Sequence, residues 1–162
     1  MKKTILFFAF AFFAFAFKAD AQNYQSAVGA RFGYPLSASL KHFLNDSHAL
    51  EGYIGTRGYS GYRWTNISAA YQIHNPIPSV DGLQYYYGAG LSIFFWNYEN
   101  NFRDPGSNTS FGLQGYLGLD YTFADVPVSL TLDWVPTYFL NGFGDGFGGG
   151  FGSLGVRYIF SE

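Results

Sequence analysis

The sequence predicts an all-β fold: an eight-stranded antiparallel up-and-down transmembrane β-barrel, preceded by a cleavable signal peptide. Three observations predict it. Charged residues make up 12% of the chain and aromatics 22%, against about 25% charged in an ordinary soluble domain. Eight segments alternate apolar with small or polar residues, each bounded by turn chemistry. The N-terminus carries the three parts of a secretory signal.

Lys2 and Lys3 precede the apolar run Ile5 to Phe17, and Ala19-Asp20-Ala21 supplies an A-x-A cleavage site. This reading assigns residues 1–21 to the signal peptide, cut before Gln22, and residues 22–162 to the mature barrel. The apolar run is too short for a membrane-crossing helix, which needs about 20 residues. No later stretch is apolar enough to cross as a helix. An integral membrane protein of this sequence must therefore be a closed barrel, because only helices and closed barrels satisfy every backbone group in lipid.

The first strand is read over Ala27 to Tyr34, with Val28, Ala30, Phe32 and Tyr34 outward and Gly29, Arg31 and Gly33 inward. Pro35 stops it. The second, Ser37 to Leu44, sets Ala38, Leu40 and Leu44 outward and Ser39, Lys41 and Phe43 inward, with His42 a polar exception on the outward face. Asn45-Asp46-Ser47 makes a tight turn. The third, Ala49 to Gly58, opposes Leu50, Gly52 and Ile54 to Glu51, Tyr53, Gly55 and Arg57. Tyr59 to Arg63 is a short connection. The fourth, Trp64 to His74, faces Thr65, Ile67, Ala69, Tyr71 and Ile73 out and Asn66, Ser68, Ala70 and Gln72 in. Asn75 to Gly82 contains Pro76 and Pro78 and reads as a turn.

The fifth strand, Leu83 to Trp96, carries Tyr85, Tyr87, Ala89, Leu91, Ile93 and Phe95 outward. Its inward set includes Tyr86, Ser92 and Phe94. Asn97 to Ser110 reads as the longest loop. The sixth, Phe111 to Phe123, alternates most cleanly, with Leu113, Leu117, Leu119 and Tyr121 against Gln114, Tyr116, Gly118 and Asp120. Ala124 to Pro127 turns it. The seventh sets Val128, Leu130, Leu132 and Trp134 against Ser129, Thr131 and Asp133. Asn141 to Gly150 is glycine-rich and reads as a loop. The eighth, Gly152 to Phe160, opposes Leu154, Val156, Tyr158 and Phe160 to Ser153, Gly155 and Arg157.

With the termini on the periplasmic side, the segments 97–110 and 141–150 become outer loops and are expected to be open to an extracellular partner. The layout resembles the small OmpA/OmpX-type outer-membrane barrels across the whole mature chain. That resemblance rests on the alternation and on the closing Arg157-Tyr158-Ile159-Phe160. It implies residence in the outer membrane of a Gram-negative bacterium, with outer-membrane lipid around the wall. It also implies that the barrel assembly machinery of that membrane reads the C-terminal strand.

The inward positions hold nearly all the strand charges: Arg31, Lys41, Glu51, Arg57, Asp120, Asp133 and Arg157. An eight-stranded barrel is only wide enough for side chains to fill it, so these charges are expected to form an ion-pair and hydrogen-bond network. Outward aromatics near strand ends are expected at the membrane interface: Tyr34, Tyr71, Tyr85, Phe95, Tyr121, Trp134, Tyr158 and Phe160. The absence of cysteine excludes disulfides, thiol catalysis and a lipoprotein anchor.

Six Lys or Arg follow the signal, without a cluster, so nucleic acid is not an expected partner. No catalytic set converges around His42, His48 or His74, and neither a cofactor nor a metal is expected. One partial glycine/aspartate nonapeptide at residues 142–150 falls short of the stacked repeats that bind calcium. The expected role is structural or surface-interacting, with a plugged interior and no catalysis. A narrow channel, a lipid-modifying enzyme and a soluble secreted ligand-binding barrel are the alternatives.

Overall fold

A computed structural model of the chain describes residues 25–59, 61–98, 109–142 and 146–161. Ten strands follow one another: β1 (Ser26–Tyr34), β2 (Leu36–Phe43), β3 (His48–Tyr59), β4 (Tyr62–Pro76), β5 (Leu83–Tyr98), β6 (Thr109–Thr122), β7 (Val128–Trp134), β8 (Thr137–Phe139), β9 (Gly146–Gly148) and β10 (Gly152–Ser161). Each of β2 to β7 pairs antiparallel with its predecessor, and β10 joins β7 to β1, so eight strands close into a barrel. Among the described residues no helix is long and apolar enough to cross a membrane.

Two of the eight wall strands are broken rather than continuous. β8 keeps the register of β7 against β6, with Leu117 opposite Trp134 and Gln114 opposite Thr137. Pro136 interrupts the strand because it has no N–H, while its carbonyl still accepts from the Gly115 N–H at 2.9 Å. β9 pairs with β8 and lies beyond the start of β10, so residues 146–148 of the expected glycine-rich loop are strand. The expected loop from Asn97 to Ser110 is shorter at both ends, because β5 runs to Tyr98 and β6 begins at Thr109. Residues 99–108 and 143–145, which include most of that loop and three residues of the nonapeptide, lie outside the described residues. β4 likewise runs on to Pro76, paired with Gln84, where the prolines suggested a turn.

The strands are tilted. The row of paired residues that leaves Tyr158 passes through Val28, Leu40 and Leu91 and reaches Phe147 after one circuit. Turn chemistry fixes the end near the termini. Asn45 Oδ1 accepts from the Ser47 and His48 backbone N–H groups at 3.1 and 3.0 Å, an Asx turn. Gly82 takes a φ of 78°, a conformation side chains rarely adopt, and a Cβ there would lie 2.3 Å from the Thr122 carbonyl oxygen.

The alternation of the strands sorts side chains by face. Leu40, Ile54, Leu91, Leu117, Leu132 and Leu154 are exposed on the outer wall. Lys41, Glu51, Gln72, Thr131 and Arg157 are fully buried inside. A soluble barrel of this sequence would need the opposite arrangement.

Candidate functional site

The lumen is built in three levels, described from the end that carries the termini. At the first level, Lys41 on β2 lies 3.2 Å from Asp120 on β6 and 4.6 Å above the Tyr86 ring. His74 on β4 stacks on Tyr86 at 4.8 Å, and its Nδ1 lies 3.1 Å from Gln84 Oε1. Phe43 packs edge-on against His74.

At the second level Glu51 on β3 is shared by two arginines. Arg157 on β10 bonds it directly, and Arg31 Nη1 faces the same oxygen at 3.5 Å as a charge pair rather than an aligned hydrogen bond. Gln72 donates to the other oxygen at 2.8 Å. Arg157 also donates to Thr131 at 2.7 Å and Ser39 at 3.3 Å. Arg31 reaches Asp133 on β7, which further accepts from Tyr86 at 2.8 Å and Ser153 at 2.9 Å. Arg31, Lys41 and Arg157 thus meet Glu51, Asp120 and Asp133, three cations against three carboxylates, all buried. A buried charge is tolerated when it is paired and its remaining hydrogen-bonding groups are satisfied. Above them, Tyr53 and Tyr116 both donate to Gln114, at 3.2 and 2.8 Å.

The third level, at the end away from the termini, is aromatic. Trp64, Phe94, Phe139 and Phe151 pack with ring centroids 4.9 to 6.0 Å apart. Tyr34, Tyr62 and Trp96 lean on this cluster. The level fills the barrel mouth with rings rather than water-binding groups.

Six of the seven inward charges come together in this network; Arg57 does not. It is half-buried at the rim, donates to the Gly33 carbonyl at 3.2 Å and stands 5.2 Å from the Tyr34 ring centroid. Among the expected interfacial aromatics, Tyr71, Tyr85, Phe95, Trp134 and Phe160 are exposed on the outer wall. Tyr121 and Tyr158 are half-buried, Tyr121 edge-on to Phe123. Tyr34 is a correction. Its position in the strand points outward, yet its ring packs on Trp64 and Phe151 at 5.5 and 5.0 Å. It is the last residue before the chain reverses through Pro35, so alternation no longer dictates its direction, and the apolar mouth receives it.

The three histidines are dispersed. His42 is exposed on the outer face and bonded to Ser26 Oγ at 2.9 Å, whereas His48 Nδ1 lies 2.5 Å from the Tyr71 hydroxyl. Among the described residues no group of three or more His, Asp or Glu could hold a metal ion. Sequence reasoning missed the aromatic cap. Trp64 shares the parity of Asn66 and Ser68, a signal that places it inside, but Phe139 and Phe151 lie beyond the strand ends that the sequence marks.

No protein-family model matches the chain, and no curated protein does. Solved structures do. The chain is similar to Neisserial surface protein A (NspA), with 21% identity and a TM-score of 0.61 over 83% of this chain and 93% of that one. It is also similar to the N-terminal β-barrel domain of Pseudomonas aeruginosa OprF, with 22% identity and a TM-score of 0.63 over 85% of this chain and 100% of that one. At these identities the likeness is one of fold: a small eight-stranded barrel of the outer-membrane type.

Proposed function

We propose that this chain is an integral outer-membrane β-barrel protein of a Gram-negative bacterium, with a structural or surface-interaction role and no catalysis of its own. One observation carries the reading: the barrel is apolar outside and charged inside, with Leu91 64% exposed on the wall and Lys41 and Arg157 0% exposed in the lumen. Lipid is the solvent that favours this inversion. The paired charges and the aromatic cap support a filled interior, which leaves the outer loops as the surface open to partners. Residues 1–21 act as the signal that directs export, and the final strand is the segment that barrel assembly recognises.

The chain has no cysteine, so single cysteines can be labelled without background. In intact cells an impermeant maleimide should label Asp145→Cys, on an outer loop, and spare Asp125→Cys, on the turn near the termini. Labelling at Asp125→Cys alone would reverse the orientation. Unlabelled protein at both sites until the cells are broken would remove it from the surface. Deleting residues 99–108 and 143–145 should abolish binding to, or adhesion through, any surface partner while the barrel still assembles; an unchanged adhesion phenotype would eliminate the interaction role.

A further inference from the structure

Among the described residues, the barrel wall has a gap at the end away from the termini. β1 and β2 are joined by Pro35 alone, and the last β2–β3 pair there is Leu36 with Thr56. β3 continues through residues 57–59, paired only with β4, and β9 stands beyond the start of β10, paired only with β8. Two strand edges therefore face each other across a notch whose floor is the β1–β2 hairpin. Pro35 is buried there, folded inward so that its Cγ lies 2.5 Å from where a Cβ on Gly55 would be. On the outer wall below the notch, Phe32 and Leu36 are exposed.

Among the described residues, which exclude Glu99, Arg103, Asp104 and Asp145, charge is distributed unevenly between the two ends. Among the described residues, the exposed carboxylates Asp46, Asp81 and Asp125 all lie on turns near the termini. Among the described residues, the cations outside the buried network are Arg57 and Arg63, both at the other end on the β3–β4 hairpin, beside the notch. Arg57 crosses the notch floor, from β3 over the end of β2 to the Gly33 carbonyl on β1. Arg63 lies across Gly58, its Nε 3.6 Å from where a Cβ would stand, and so leans over β3 toward the same gap.

From this arrangement we infer that the notch holds one anionic lipid of the outer leaflet, its phosphate on Arg57 and Arg63 and an acyl chain along Phe32 and Leu36. Guanidinium groups suit phosphate oxygens through charge-assisted hydrogen bonds, and the exposed apolar pair continues the outer wall on which a chain would lie. The phosphate would also bring hydrogen-bonding groups to two strand edges that hydrocarbon alone leaves unsatisfied. The inference rests on the membrane reading above and adds a lipid class and a place to it.

The test uses the full mature chain in neutral-detergent micelles, with phosphatidylglycerol, lipid A or phosphatidylcholine added and bound lipid counted by native mass spectrometry. One anionic lipid should be retained in preference to phosphatidylcholine. Arg57→Gln and Arg63→Gln should each weaken that preference by about fivefold, the factor for roughly 1 kcal/mol per arginine near a lipid surface. Arg57→Lys and Arg63→Lys should keep much of it, and Asp125→Asn at the other end should leave it unchanged. The heat-dependent gel mobility of each variant reports whether its barrel is closed. A closed barrel whose preference survives both glutamine changes overturns the inference alone. A wild-type chain that neither inserts into vesicles nor shows that mobility overturns the membrane reading itself.

Discussion

Arg31 Nη2 donates to both carboxylate oxygens of Asp133, each at 2.9 Å, and so ties together the two strands that flank β10. Asp133→Ala leaves Arg31 buried with part of its charge uncompensated, a change that costs about 3–5 kcal/mol. Urea unfolding in detergent should show that loss as an earlier midpoint. Replacing both residues, Arg31→Met with Asp133→Leu, should recover part of it because no cation of this pair stays unpaired. A double variant as unstable as the single one would mean that lost packing, not the unpaired charge, dominates.

Leu91 tests what surrounds the wall. It sits in the middle of β5 and is 64% exposed. Leu91→Arg should lower stability in vesicles by about 2–4 kcal/mol, the depth-dependent cost of arginine near the bilayer midplane. A change near zero, as on a water-facing surface, would contradict a lipid-facing wall.

Gly118 tests how tightly the lumen is filled. A Cβ there would lie 2.6 Å from Tyr86 Cζ and 2.7 Å from the Leu132 carbonyl. Gly118→Ala should therefore cost about 1–3 kcal/mol through overpacking and disturb the Tyr86 bond to Asp133. Gly115→Ala is the control, because the nearest atom to its Cβ, Pro136 Cγ, is 3.5 Å away. Equal urea midpoints for the two variants would show that Tyr86 yields easily.

The aromatic cap bears on conduction. Trp64 and Phe94 are buried with centroids 5.3 Å apart, above a charge network already paired. The purified wild-type protein should be electrically silent in planar bilayers, and Asp120→Asn should not change that. Trp64→Ala should lower stability by about 3–5 kcal/mol through the cavity it leaves. Discrete conductance from the wild type would favour a channel instead.

The wall of the barrel was legible in the sequence because period-two alternation is a local signal: Leu113, Gln114, Leu117 and Asp120 on β6 take the faces that parity assigns. Signals that depend on the third dimension were not legible. Nothing local to Arg31 names Asp133 as its partner, since the bond spans 102 residues and depends on barrel closure. Tyr34 turned inward because a strand's last residue is steered by its neighbours rather than by the pleat. Pro136 concealed a wall strand whose register continues on its far side, and the glycines of residues 146–148 concealed a short strand that pairs with β8 one residue out of the register between β10 and β7.

The most direct measurement is the gel mobility of unboiled and boiled protein from the outer-membrane fraction of expressing cells. A closed barrel with a filled, paired lumen resists detergent, so the unboiled protein should migrate as a compact species and shift on boiling. Protein recovered in the soluble fraction, with one mobility in both samples, would contradict the account: the apolar wall would then have to be covered by something other than lipid.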